Sequence, residues 1–231
     1  MQHTYAIGDI HGCQRTFAAL LEHLPLRTGD RLVLLGDYID RGPDSKAVLD
    51  TIFQRKNEGF ELVCLRGNHE QMLLDAIDNP NYEIEFWLRN GGRQTMASFG
   101  ADRLRDIPEH YIDFFRNTLF FYETEGYLCL HGGPNFDHPD PLEQAADLLW
   151  MRRWYDDINY DWLGNRIILH GHTPVGLDLI RQQYAALAEQ QYLNLDNGCV
   201  YAAMSGKGEG LGYLMAFCLE TKALYWQANV D

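Results

Sequence analysis

Apolar runs of strand length alternate with helix-spaced segments across the first third of the chain. Residues 4–7, 31–35 and 61–65 form short apolar runs, while 15–24, 45–55 and 68–77 repeat apolar positions every three to four residues. Strands alternating with helices predict βαβ units and a mostly parallel sheet. Residues 82–117 are more helical and rich in aromatics, broken at Asn90-Gly91-Gly92. Beyond them, strands are predicted at 119–123 and 127–130 around a Glu125-Gly126 turn, and a helix at 142–150. Strands follow at 166–169, 192–195, 213–219 and 223–226, the last pair a hairpin split by Glu220-Thr221-Lys222. A parallel half joined to a more antiparallel half predicts a mixed α/β (α+β) fold: two packed sheets with helices outside.

The polar residues fall where the apolar runs stop. The first run ends in Gly8-Asp9-Ile10-His11-Gly12, and the second in Gly36-Asp37-Tyr38-Ile39-Asp40-Arg41-Gly42. The third ends in Arg66-Gly67-Asn68-His69-Glu70. Later runs lead into His131-Gly132-Gly133 and His170-Gly171-His172-Thr173. Carboxyl ends of parallel strands share one edge of a sheet, where ligands bind. Each cluster alone reads as a turn or a structural histidine, but five of them after apolar runs point to one shared site.

Carboxylate, imidazole and amide donors without thiolates suit borderline-hard divalent ions such as Mn²⁺, Fe²⁺ or Zn²⁺. Two ions need a bridging carboxylate, which Asp37 can supply. Such a pair clamps a phosphate and lowers the pKa of a shared water towards about 7. Arg41 and Arg152 offer guanidinium groups for phosphate oxygens. A solvated helix-end cation is the plain reading of Arg152, and Arg153 stands open as an alternative to it.

Composition narrows the partners. Among 231 residues, 46% are hydrophobic and 23% charged, which suits one large domain with a buried core, or two small ones. The net charge of −14 repels a phosphate backbone and argues against nucleic acid as partner. Five cysteines, an odd number without a CxxC, read as reduced core residues in a reducing compartment. The start, MQHTYAIGDIHG, carries no signal-peptide pattern, and no apolar run approaches membrane-spanning length. The expectation is a cytoplasmic protein without a membrane partner, monomeric by default.

The motifs GDIHG, GDYIDRG, LRGNHE, HGG and GHT, in that order, resemble the calcineurin-like metallophosphoesterases. GDxxDRG and GNHE look like the serine/threonine phosphoprotein phosphatase branch, in particular small bacterial and phage-type members, as does WLRNGGRQTMASFG. The resemblance runs from Asp9 to about Gly198. It implies a single domain over 1–231, a two-sheet sandwich flanked by helices, and two divalent metals, Mn²⁺ first and Fe or Zn as alternatives. Asp9 and His11 would hold one metal, Asp37 would bridge, and Asn68, His131 and His172 would hold the other. His69 would be the general acid, oriented by Asp40, with Arg41 and Arg152 on the phosphate. His172 takes the GHT position, and His170 reads as a packed neighbour. Cys13, just after GDIHG, reads as a small core side chain, and nothing functional attaches to Asn197 in NLDNGCV.

The activity this implies is hydrolysis of phosphate monoesters, with a phosphoserine or phosphothreonine protein or peptide as substrate. The alternative is a dinucleoside-polyphosphate (diadenosine tetraphosphate) hydrolase, whose relatives usually lack the second carboxylate of GDxxDRG and tend to GNHD. Asp40 and Glu70 favour the monoesterase. A catalytically silent metal-binding scaffold is the remote alternative, and no expected ligand is missing to support it.

Overall fold

The computed structural model describes residues 2–204 and 210–231. The first sheet takes β1 (Thr4–Ile7), β2 (Arg31–Leu34) and β3 (Glu61–Cys64) in parallel, with Ile7 beside Leu34 and Leu34 beside Cys64. Helix α1 (Gln14–His23) links β1 to β2, and α2 (Ser45–Asn57) links β2 to β3. After β3 the chain enters α3 (Asn68–Asp78), α4 (Pro80–Trp87), a π turn at Leu88–Gly92, α5 (Arg93–Phe99) and α6 (Glu109–Arg116). The predicted break is that π turn, made possible by Gly91 at φ 115°.

The second sheet is ordered β4 (Phe121–Thr124), β5 (Tyr127–Leu130), β6 (Ile167–His170), β7 (Tyr192–Asn194). Helices α7 (Ala145–Trp150) and α8 (Tyr160–Leu163) precede β6, while α9 (Leu177–Ala185) and α10 (Leu187–Gln190) precede β7. The predicted strand at 192–195 is β7, and a further short strand follows it. After β7 the chain crosses back, and β8 (Asp196–Asn197) joins the first sheet. There β9 (Tyr213–Cys218) pairs antiparallel with both β1 and β10 (Leu224–Ala228). Parallel and antiparallel pairing therefore occur within each sheet, not in separate halves of the chain.

Side-chain alternation explains the layers. Tyr5, Ile7, Leu32 and Leu34 pack on one face with Phe17, Leu20, Val48 and Ile52 of the helices. Ala6, Val33 and Leu35 point the other way, onto Cys129, Leu169 and Leu193 of the second sheet. The outer face of that sheet carries Leu128, Leu130 and Ile168 against Leu148, Trp154 and Leu163. Strand β9 is apolar on both faces, Leu214, Ala216 and Cys218 on one and Met215, Phe217 and Leu219 on the other. It therefore takes an interior place in the sheet, where both faces are covered. The result is a mixed α/β, two-sheet sandwich with helices on both outer faces. No helix among the described residues is long and apolar enough to cross a membrane.

Candidate active site

Loops after β1, β2, β3, β5 and β6 bring the five polar clusters together. Five of the seven non-glycine residues with positive φ among those described are His11, Asp37, Asp40, Arg41 and His172. Left-handed backbone at such residues costs free energy and concentrates at functional sites. Glu70 holds two of these loops together. Its buried carboxylate accepts N–H bonds from Gly67 (2.9 Å), Asp37 (2.8 Å) and Tyr38 (2.8 Å). Position 67 has to be glycine, because a Cβ there would run into the Asp37 carboxylate and backbone.

Every predicted metal-site residue meets at this edge. Asp9, Asp37 and His131 offer ligand atoms within 4.8 Å of one another, as do His11, Asp37 and His69. The Asn68 Oδ1 lies 3.0 Å from His131 Nε2 and 2.8 Å from His172 Nδ1. Asp9 Oδ2 accepts the His172 backbone N–H at 3.0 Å. All six are buried.

The protons do not balance without a cation. His131 Nδ1 lies 2.9 Å from the Leu35 carbonyl, so it carries the ring proton. Burial lowers the His131 pKa and keeps the ring neutral, leaving Nε2 a bare lone pair. That lone pair faces Asn68 Oδ1 at 3.0 Å and Asp37 Oδ1 at 3.5 Å, both acceptors. His11 differs: its Nδ1 sits 2.9 Å from the Ile39 carbonyl, and its Nε2, 3.4 Å from Asp37 Oδ2, accepts from the Arg41 guanidinium at 2.6 Å. Asp9 Oδ1 and His172 Nε2 are buried without a hydrogen-bond partner. Converging acceptors of carboxylate, imidazole and amide type fit divalent cations well.

Charge tells the same story. Burial pushes Asp9 well above the usual carboxylate range, reinforced by Asp196 and Asp37. Burial likewise pushes Asp196 up to about 7, against the Gly198 N–H that its carboxylate accepts. Asp196 was missed in the sequence. The signal was present, since it too follows an apolar strand.

Beside the acceptors lies a dyad. His69 Nδ1 is 2.7 Å from Asp40 Oδ2, and its Nε2 lies 4.0 Å from Asp37 Oδ2. Asp40 is fully buried, and burial raises its pKa while His69 and Thr95 oppose the rise. Two further donors fix its carboxylate: Trp87 Nε1 at 3.0 Å and Thr95 Oγ1 at 2.6 Å. Both come from the helical segment after α3. Thr95→Val keeps the shape but strips one donor from a buried charge, a loss of about 2 kcal/mol. The unfolding midpoint should fall by about 4–8 °C in a thermal melt.

Arg41 is 2.6 Å from His11 Nε2, on the lone pair a cation would use. Arg152 donates to the His172 carbonyl (3.0 Å) and Thr173 Oγ1 (3.1 Å), at the rim of the cluster. His170 stands apart from the cluster, its Nε2 2.9 Å from the Tyr155 hydroxyl and its ring 5.1 Å from that of Trp154. Cys13 is a buried free thiol, in keeping with a core role.

A family model described as calcineurin-like phosphoesterase matches residues 3–202. A symmetrical bis(5'-nucleosyl)-tetraphosphatase of Nitrosomonas europaea is 32% identical over 148 residues, covering 63% of this chain and 49% of that protein. Serine/threonine-protein phosphatase 1 of Salmonella typhimurium is 41% identical over 97 residues, 39% of each chain. The chain thus spans about half the length, or less, of these curated relatives. A solved putative diadenosine tetraphosphatase superposes with a TM-score of 0.70 at 19% identity, covering 100% of this chain and 95% of that one.

Proposed function

The chain belongs to the calcineurin-like phosphoesterases, and from that premise we propose a two-metal hydrolase that cleaves the phosphoanhydride chain of a bis(5'-nucleosyl) tetraphosphate. One observation carries the metal dependence: the His131 lone pair aimed at Asn68 Oδ1 and Asp37 Oδ1 with no proton between them. The substrate class is supported by the printed name of the Nitrosomonas europaea relative. The sequence put a phosphoprotein first, partly on Glu70. That carboxylate accepts the buried backbone N–H groups of Asp37, Tyr38 and Gly67, a supporting role that suits either substrate.

In this reading Asp9, His11 and Asp37 would hold one divalent cation, and Asp37, Asn68, His131 and His172 would hold the other, Mn²⁺ before Fe or Zn. Bound there, the cations supply Lewis acidity at the phosphoryl oxygens and a water of lowered pKa. Arg41 turns its guanidinium from His11 onto a phosphoryl oxygen, and Arg152 binds another from the rim. His69 hands a proton from Nε2 to the departing oxygen, while Asp40 fixes the ring and balances its charge.

A second reading, hydrolysis of phosphoserine or phosphothreonine in a protein or peptide, is favoured by the same dyad. A serine alkoxide needs a proton on leaving far more than a nucleotide phosphate does. Turnover of diadenosine tetraphosphate, a phosphoserine peptide and p-nitrophenyl phosphate with Mn²⁺ separates the two. Selective cleavage of the tetraphosphate is expected. Faster cleavage of the phosphopeptide would install the second reading, and no Mn²⁺-dependent activity at all would leave a silent scaffold.

Metal loading should also show without turnover. Mn²⁺ at about 100 times its Kd stabilises the fold by about 2.7 kcal/mol, or about 5–11 °C in Tm. A chelator should reverse the shift, and an unmoved midpoint would contradict a cation site.

A further inference from the structure

Next to the acceptor cluster lies an open cleft of about 340 Å³, walled by Arg41, Arg89, Asn90, Gln94 and Tyr201. Its size is within the range of about 300–1,000 Å³ typical of small-molecule sites. Arg41 joins the two regions. One end of its guanidinium is 2.6 Å from His11 Nε2, and its central carbon is 5.8 Å from the centre of the Tyr201 ring. Whatever extends from a phosphorus held at the cluster past Arg41 therefore enters this cleft.

The lining has a particular chemistry. Two guanidinium groups share one opening in a chain of net charge −14, a local reversal of sign. The Arg89 side chain is 80% exposed, and its carboxylate neighbour Glu85 is 3.9 Å away, a loose pair that water screens. Tyr201 presents an aromatic ring, and Gln94 an amide with both donor and acceptor atoms. The shape of the wall is fixed from behind. Asn90 donates to the Phe86 carbonyl at 2.8 Å, and Arg41 donates its backbone N–H to the Gly91 carbonyl at 3.3 Å. No side chain fits at Gly91, where a Cβ would strike the Arg41 backbone.

We propose that this cleft is the subsite for the part of the substrate beyond the attacked phosphorus, namely the remaining phosphates and their nucleoside. Arg89 pairs with a distal phosphate, Tyr201 stacks on the base, and Gln94 meets the base edge. The inference rests on the tetraphosphate reading; it gives individual roles to Arg89 and Gln94 of the WLRNGGRQTMASFG stretch and to Tyr201, which lies outside the motifs.

The test compares Arg89→Ala, Arg89→Lys and Tyr201→Ala with the Mn²⁺-loaded wild type on diadenosine tetraphosphate and p-nitrophenyl phosphate. Expected is a KM for the tetraphosphate about tenfold higher in each alanine variant, with Arg89→Lys in between. The ratio of kcat/KM for tetraphosphate over p-nitrophenyl phosphate should fall by about the same factor. Titration calorimetry with ADP on the metal-free chain gives a readout apart from turnover, with Kd rising about tenfold in the alanine variants. An unchanged ratio, or an unchanged Kd for ADP, overturns the subsite. A wild type that hydrolyses p-nitrophenyl phosphate but not the tetraphosphate overturns the substrate reading itself, and the subsite with it.

Discussion

Asp37→Asn is expected to cut kcat by at least about 1,000-fold and to strip the protein of its divalent cations. Asp37 is the single carboxylate near every part of the cluster, with Oδ2 3.4 Å from His11 Nε2 and Oδ1 3.5 Å from His131 Nε2. An amide keeps the shape and one oxygen but cannot put negative charge between two cations. Losing about 4 kcal/mol of transition-state stabilisation, a reasonable share of what a metal supplies, is about 10³ in rate. The fold should survive, because the Asp37 backbone N–H stays bonded to Glu70. Metal analysis beside steady-state kinetics checks this. A variant that keeps both metals and more than a tenth of wild-type turnover would remove Asp37 from the bridging position.

His69→Asn separates a proton donor from a ligand. The ring offers Nε2 to the same space as His11 and Asp37, so geometry alone permits ligation. Its other nitrogen is committed to Asp40 at 2.7 Å, the arrangement that equips an imidazole to carry and release a proton. As a general acid, His69 contributes about 10²–10⁴-fold for a substrate with a basic leaving group, here a phosphoserine peptide rather than the tetraphosphate. For p-nitrophenyl phosphate, whose leaving group needs little help, the loss should be smaller by at least tenfold. Two metals per chain should remain in the variant. A metal lost, or an equal loss on both kinds of substrate, would make His69 a ligand instead.

Much of this arrangement is legible in the sequence because its logic is local. Each of β1, β2, β3, β5 and β6 is an apolar run stopped by a glycine or histidine cluster, and the structure brings all five stops to one edge. What escaped the sequence depends on long-range packing. Strand β8, two residues directly after β7, pairs with the other sheet, and an apolar run that ends at Leu195 does not announce it. Asp196 sits at that crossing, directly after an apolar run like the other clusters but outside every motif. Trp87 and Thr95 lie 47 and 55 residues from Asp40, and only folding shows that both hold its carboxylate. Helices α9 and α10 went unread as well. The substrate is the least legible part, because Glu70, the mark of one branch, bonds only to backbone N–H groups and so reads no substrate.

The left-handed backbone at Asp37, Asp40 and Arg41 changes what an alanine scan would report. Asparagine and glycine enter that conformation readily, whereas alanine resists it. Truncating these side chains to a methyl group would blend damaged folding with damaged chemistry. In a mutational library, asparagine at 37 or 40 should accordingly yield abundant but inactive protein, while bulky β-branched residues there deplete the protein itself.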